Sequence, residues 1–162
     1  MYILPRYRSS TRRTLLSGFT LVEITVAVAL MAMFTLVGTS VFSSVRNAQE
    51  LQTAKQDVVL ALNSARESTL RSLSDKSYGV IFSNSGVIRF TSTYTAGTSS
   101  NITFSFPSSV SATTSLSGGT TTILFTRLTG QPSATGTITV TEGDSGAVAT
   151  VHIDTSGVIT VQ

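Results

Sequence analysis

Ser17-Gly18-Phe19-Thr20-Leu21-Val22-Glu23 leads into residues 24–45, a run without a single Asp, Glu, Lys or Arg. A bilayer-spanning helix needs roughly 20 apolar residues, so the run predicts a transmembrane segment. One acid, Glu23, stands just inside its start, and Arg6, Arg8, Arg12 and Arg13 precede it. A carboxylate near a bilayer core costs about 2.5–3.5 kcal/mol on insertion scales, so Glu23 asks for a partner. The arginines predict a cytoplasmic N-terminus and an outward C-terminal part. A secretory signal peptide fits poorly, because its apolar region is shorter and ends in small residues at a cleavage site. A plain anchor gives Glu23 nothing to do.

The net charge of +3 is carried by the N-terminus. Without residues 1–18 the chain holds seven basic and eight acidic side chains, so the basicity reads as an orientation signal. Nucleic acid is therefore not the expected partner, since phosphate binding rests on clustered Lys and Arg. There is no cysteine, hence no disulfide or thiol nucleophile. The single histidine, His152, lies between Val151 and Ile153 and reads as a surface imidazole. Glu142, Asp144 and Asp154 sit at turns, where acids are common, so no metal or other cofactor is expected. Nothing in this inventory assembles an active site, and the chain reads as a non-enzyme.

Residues 19–73 predict one long helix in two halves. The first, 19–45, is apolar. The second, 46–76, is amphipathic: from Val45 at its border, Leu51, Val58, Leu62, Ala65, Thr69 and Leu73 form a stripe at mostly three- and four-residue steps. From residue 77 the period drops to two. Strands are expected at 78–83, 87–93, 101–106, 122–128, 136–141, 147–153 and 158–161. Residues 94–100 and 108–121, rich in Ser and Thr, read as loops or edge strands. The fold class is α+β: a long N-terminal helix, transmembrane then amphipathic, packed on an antiparallel β-sheet head over 77–162.

Gly18, Phe19 and the Thr-Leu-Val-Glu that follows, after a basic leader and before an apolar helix, resemble the N-terminus of the type IV pilin superfamily. The resemblance implies that residues 1–18 are a leader, with Arg12 and Arg13 its last basic residues. It implies a prepilin peptidase that cuts between Gly18 and Phe19, and N-methylation of Phe19. It also implies that Glu23, fifth in the mature chain, pairs with the N-terminal amine of a neighbouring subunit. A glycine at the scissile bond leaves the backbone open to a protease. Tyr78-Gly79-Val80 with Phe82, Ile123 to Phe125, Gly136 to Val140, and Asp154 to Ile159 are similar to the H-type minor pseudopilins of type II secretion and to FimT-like minor pilins. The implied partners are prepilin peptidase, other pilins or pseudopilins and the cytoplasmic membrane. The implied place is a single-pass inner-membrane protein with its head outside, later in a pilus-like fibre that supports export. The alternative is a competence or FimT-like minor pilin that binds DNA for uptake.

Overall fold

A computed structural model describes residues 18–71 and 75–162, with side chains described for all of these except 36–41. Residues 1–17, including Arg12 and Arg13, and Leu73 of the expected stripe lie outside the described residues. The chain divides into two units, Met1–Thr39 and Ser40–Gln162.

Helix α1 spans Leu21–Leu70. Thr20 begins it, accepting from the Glu23 amide on its hydroxyl at 3.2 Å and from the Ile24 amide on its carbonyl at 3.2 Å. These bonds satisfy amides that a helix N-terminus otherwise leaves orphaned. The expected membrane-spanning half is corrected here. Helical residues with described side chains fall into two stretches, 21–35 and 42–70. Among the described residues no helix is long and apolar enough to cross a membrane. The first of these stretches covers 15 residues, about 22 Å of rise against a hydrocarbon core of about 30 Å, and the second is charged. After Phe42 the helix carries Arg46, Glu50, Lys55 and Asp57. The transmembrane helix, the membrane assignment and the single-pass inner-membrane location are therefore withdrawn.

In the second unit α1 buries one face. Ala54, Val58, Ala61, Leu62, Ala65 and Thr69 are buried, at the spacing of a helical stripe. Val45, placed on that stripe by the sequence, is instead exposed, and Ala54 and Ala61 join it.

The expected single sheet is two four-stranded antiparallel sheets. The strands are β1 Tyr78–Ser83, β2 Gly86–Thr91, β3 Ile102–Ser105, β4 Val110–Leu116, β5 Thr122–Leu124, β6 Gly136–Glu142, β7 Val148–Ile153 and β8 Ile159–Val161. One sheet runs β3-β2-β1-β5, the other β4-β6-β7-β8. β1 and β2 pair from Ser83↔Gly86 outward, leaving Asn84-Ser85 as a two-residue turn. That turn joins the sheets through β4, where the Ala112 amide donates to the Asn84 carbonyl at 3.1 Å, while the Phe106 amide, donating to the Ser85 carbonyl at 2.9 Å, extends the β2–β3 pairing. The inward side chains of both sheets, including Val80, Phe82, Ile123, Phe125, Ile138, Val140, Val151 and Ile153, share one core with Val58 and Leu62 of α1. Residues 108–121, expected as loop or edge strand and not as core, hold β4, an edge strand whose inward side chains join the core. Its alternation rests on Val110, Ala112 and Leu116, while Ser111, Thr113 and Ser115 face out. One small Ala at the middle inward position hides the period, although β-branched Thr suits a strand.

Gly136 shows how tightly β4 and β6 meet. Its φ is +145°, and a Cβ there would stand 2.1 Å from the Ser115 carbonyl oxygen. Only glycine combines that backbone with that approach.

Candidate functional site

The residues singled out by sequence lie at the start of the first unit. Gly18 has nothing within 4 Å of where a Cβ would stand, and Phe19 is 78% exposed. Gly18, Phe19 and Thr20 precede the helix and carry no regular structure. The Gly18–Phe19 bond thus lies in an open segment, the form in which a protease takes a chain. Glu23 is exposed in the first turn of α1, where its charge favours the positive helix end. Thr20-x-x-Glu23 is also a capping-box pattern, and the Glu23 amide bonds the Thr20 hydroxyl as that pattern requires. Around and after it, Leu21, Val22, Ile24, Val26, Val28, Leu30, Met31, Met33 and Phe34 are each at least half exposed, on every side of the helix.

A second arrangement lies in the other unit and was not anticipated. Phe42, Arg46, Asn47 and Glu50 of α1 form a cleft of about 460 Å³ with Ser109 and with Asp144 of the β6–β7 turn. Arg46 Nε donates to Glu50 Oε1 at 2.6 Å, and the Ser109 hydroxyl donates to Glu50 Oε2. The Ser109 bond, then Arg46, holds the Glu50 carboxyl below the usual carboxylate range. Glu142 at the end of β6 is fully buried. It accepts from the Asp144 amide at 2.9 Å, the Ser145 amide at 2.7 Å and the Ser145 hydroxyl. The hydroxyl first, then the amides, keep its pKa low. The turn is thereby tied down, and Asp144 is held exposed at the cleft.

The opposite end of α1 in this unit gathers cations that are scattered in sequence. Arg127 donates to Asp75 Oδ1 at 2.7 Å, and Arg71 lies 3.5 Å from Glu67. Arg89 donates to Ser68 at 3.3 Å and lies over the Tyr78 ring. Arg66 reaches the Ser156 carbonyl at 3.4 Å, while its buried Nε has no partner. Lys76 is exposed beside Asp75.

Asp154 accepts from the Ser156 hydroxyl and from the Ser156 and Val158 amides of its own turn, so it is spent on local structure. It does not meet Glu142 and Asp144, and among the described residues no group of acids and histidines is placed to share a metal ion. His152 is exposed, 3.4 Å from the Thr137 hydroxyl. Comparison with protein-family models, curated proteins and solved structures gives no match.

Proposed function

We propose that this chain is a subunit of a pilin-like fibre, cut between Gly18 and Phe19 and assembled through its N-terminal helix. In pattern it is most similar to an H-type minor pseudopilin, and it works by assembly in a secretion or pilus machine rather than by catalysis. One observation carries the reading: a helix apolar on all sides and exposed on all sides. Such a helix is stable only when other apolar surface surrounds it. Nine large apolar side chains between Leu21 and Phe34 are involved. Fully burying such a side chain is worth about 1.5–3 kcal/mol, so covering what these nine still expose is worth on the order of 10–15 kcal/mol, comparable to the roughly 4–15 kcal/mol that association costs. Parallel helices of neighbouring copies supply that surface. Phe19 then brings its new amine and Glu23 its carboxylate into an apolar setting, where the two charges neutralise each other.

The experiment pairs processing with assembly. Edman sequencing of the protein from cells with prepilin peptidase should start at Phe19. Glu23→Gln keeps a capping-box residue but removes the charge. It should leave cutting and folding intact and abolish entry into fibres. A Glu23→Gln chain that joins fibres at the wild-type level refutes the intersubunit role.

The basic end of the second unit gives the DNA-uptake reading its one support. Arg66, Arg71, Lys76, Arg89 and Arg127 stand near one another, but Glu67, Asp75 and Asp154 stand among them. Affinity for DNA grows with the number of phosphates neutralised, and pairing to Asp75 and Glu67 spends Arg127 and Arg71. The fibre reading is preferred.

A further inference from the structure

An edge strand left open is a template for another strand. The two sheets end in β3 and β5, and in β4 and β8. β5 is covered: the Ser133 amide donates to the Leu124 carbonyl at 2.8 Å, and the Leu124 amide to the Ser133 hydroxyl at 3.0 Å. β4 gives its Ala112 amide to Asn84. β3 and β8 are left, and β8 borders an apolar groove.

β8 pairs with β7 in the register Ile153↔Ile159, His152↔Thr160 and Val151↔Val161. The Asp154 amide donates to the Val158 carbonyl at 3.2 Å, and Gln162 exchanges both backbone bonds with Thr150, at 2.9 and 3.1 Å. Backbone groups of an antiparallel pair point alternately toward and away from the partner. Thr160 therefore faces β7, and the N–H and C=O of Ile159 and Val161 face away. No described residue pairs with those four groups. The side chains of Ile159 and Val161 share the inner face of the sheet with Val151 and Ile153. Ile159 packs on the core, and Val161 forms a groove of about 380 Å³ with Lys55, Val59 and Leu60 of α1. Leu60 is 55% exposed and Val161 42% exposed. Lys55, at one end of the groove, has no ion pair among the described residues.

We propose that an extended segment of a partner protein adds to the second sheet beside β8. Its backbone pairs with Ile159 and Val161, its alternate apolar side chains fill the groove, and an acidic side chain meets Lys55. Each feature of that occupant comes from a separate observation. Open N–H and C=O groups call for an extended backbone, and the groove calls for apolar side chains on every second residue. The unpaired cation of Lys55 calls for a carboxylate. The groove follows α1 from residue 55 to residue 63, a rise of about 12 Å. Three alternate side chains of a strand span about 13 Å, so two apolar residues and one acid fill it. The surface lies within Ser40–Gln162, and the fibre reading rests on Gly18 to Phe34, so the two stand independently.

The probe is a blocked, fluorescently labelled hexapeptide, Thr-Val-Thr-Val-Thr-Asp, titrated into the full-length chain. Its polarisation should rise to saturation. A strand shows its N–H groups alternately to its two sides. N-methylating either the two Val nitrogens or the two internal Thr nitrogens therefore blocks one side at a time. One set should weaken binding by about threefold to tenfold for each bond lost, and the other should leave it unchanged. Val161→Pro removes an outward N–H and spares the pairing with β7, a change that edge strands tolerate; it should weaken binding by a similar factor. Replacing the probe's Asp by Lys should weaken binding by up to about fivefold, and Lys55→Glu should reverse that preference. With the probe bound, amide exchange should slow at Ile159 and Val161 and stay the same at Thr160. Binding weakened equally by both N-methylated sets or by neither, unchanged exchange at Ile159 and Val161, or no saturation by about 1 mM overturns the proposal. A preference for Asp that survives Lys55→Glu overturns the part given to Lys55. Slow exchange at Ile159 and Val161 without the probe, increasing with protein concentration, means that a second copy takes the edge and overturns the proposal as well.

Discussion

Leu60 and Leu62 lie two residues apart on α1, one 55% exposed and the other fully buried. The same substitution at each therefore weighs the two faces of one helix. Leu62→Ala removes three carbons from a site enclosed by the core, leaving a cavity. Buried Leu→Ala changes cost about 2.7–5.0 kcal/mol. Unfolding entropy near 2.1 cal/mol/K per residue, over the roughly 120 residues of Ser40–Gln162, is about 0.25 kcal/mol/K. The expected loss in Tm is thus about 11–20 °C. Leu60→Ala uncovers little and places a better helix former on the surface, so it should move Tm by no more than about 2 °C. Thermal melts followed by circular dichroism on the full chain read both. Equal shifts would mean that the core lies against a different face of α1, and would remove the packing that positions the cleft.

Gly136→Ala should destabilise by well over about 1 kcal/mol, because its Cβ would meet the Ser115 carbonyl at 2.1 Å; a denaturant midpoint equal to wild type would contradict the β4–β6 contact. Acid should destabilise the second unit. Glu50, Glu142 and Asp154 are held below their ordinary pKa by hydrogen bonds, so their contribution is full above about pH 4.3 and is lost as pH falls through the folded values. Asp57, raised by burial, works in the opposite sense. Stability that rises between pH 5 and pH 3 in a urea series would refute that assignment. Fluorescence polarisation against duplex DNA at about 150 mM salt should give a Kd weaker than about 1 µM; tighter binding promotes the DNA-uptake reading.

What could be read from the sequence depended on how far apart the cooperating residues lie. β1 was legible to the residue, because Tyr78–Ser83 ends at a turn marked by Asn84-Ser85-Gly86. The stripe through Val58, Leu62, Ala65 and Thr69 was legible because a helix repeats its signal every turn. β4 was legible only as loop or edge strand, and its share in the core was not, since Ala112 contributes little hydrophobic contrast among Ser and Thr. The division into two sheets was hidden as well. It depends on the β1–β2 turn receiving the Ala112 amide of β4, and no local pattern records that. The cleft was invisible for the same reason: Glu50 and Ser109 are 59 residues apart. The membrane span was misread because an uncharged run was counted as a length of apolar helix.

The stretch that first drew the reading, Thr20-Leu21-Val22-Glu23, supports two roles at once. Thr20 caps α1 through the Glu23 amide, so a helix start alone accounts for a Thr followed three residues later by a Glu. The cap does not account for the apolar side chains that follow on every face. Capping and assembly respond differently to substitution. Thr20→Ala removes the cap, at about 1 kcal/mol, and frays the first turn while the charge stays. Glu23→Gln keeps the cap and removes the charge. If capping is the whole role, Thr20→Ala is the more harmful change to fibre formation and Glu23→Gln is silent. The fibre reading requires the reverse order. Amide exchange over residues 21–25 reports the fraying independently, so a failure to assemble can be assigned to the lost charge or to the lost turn.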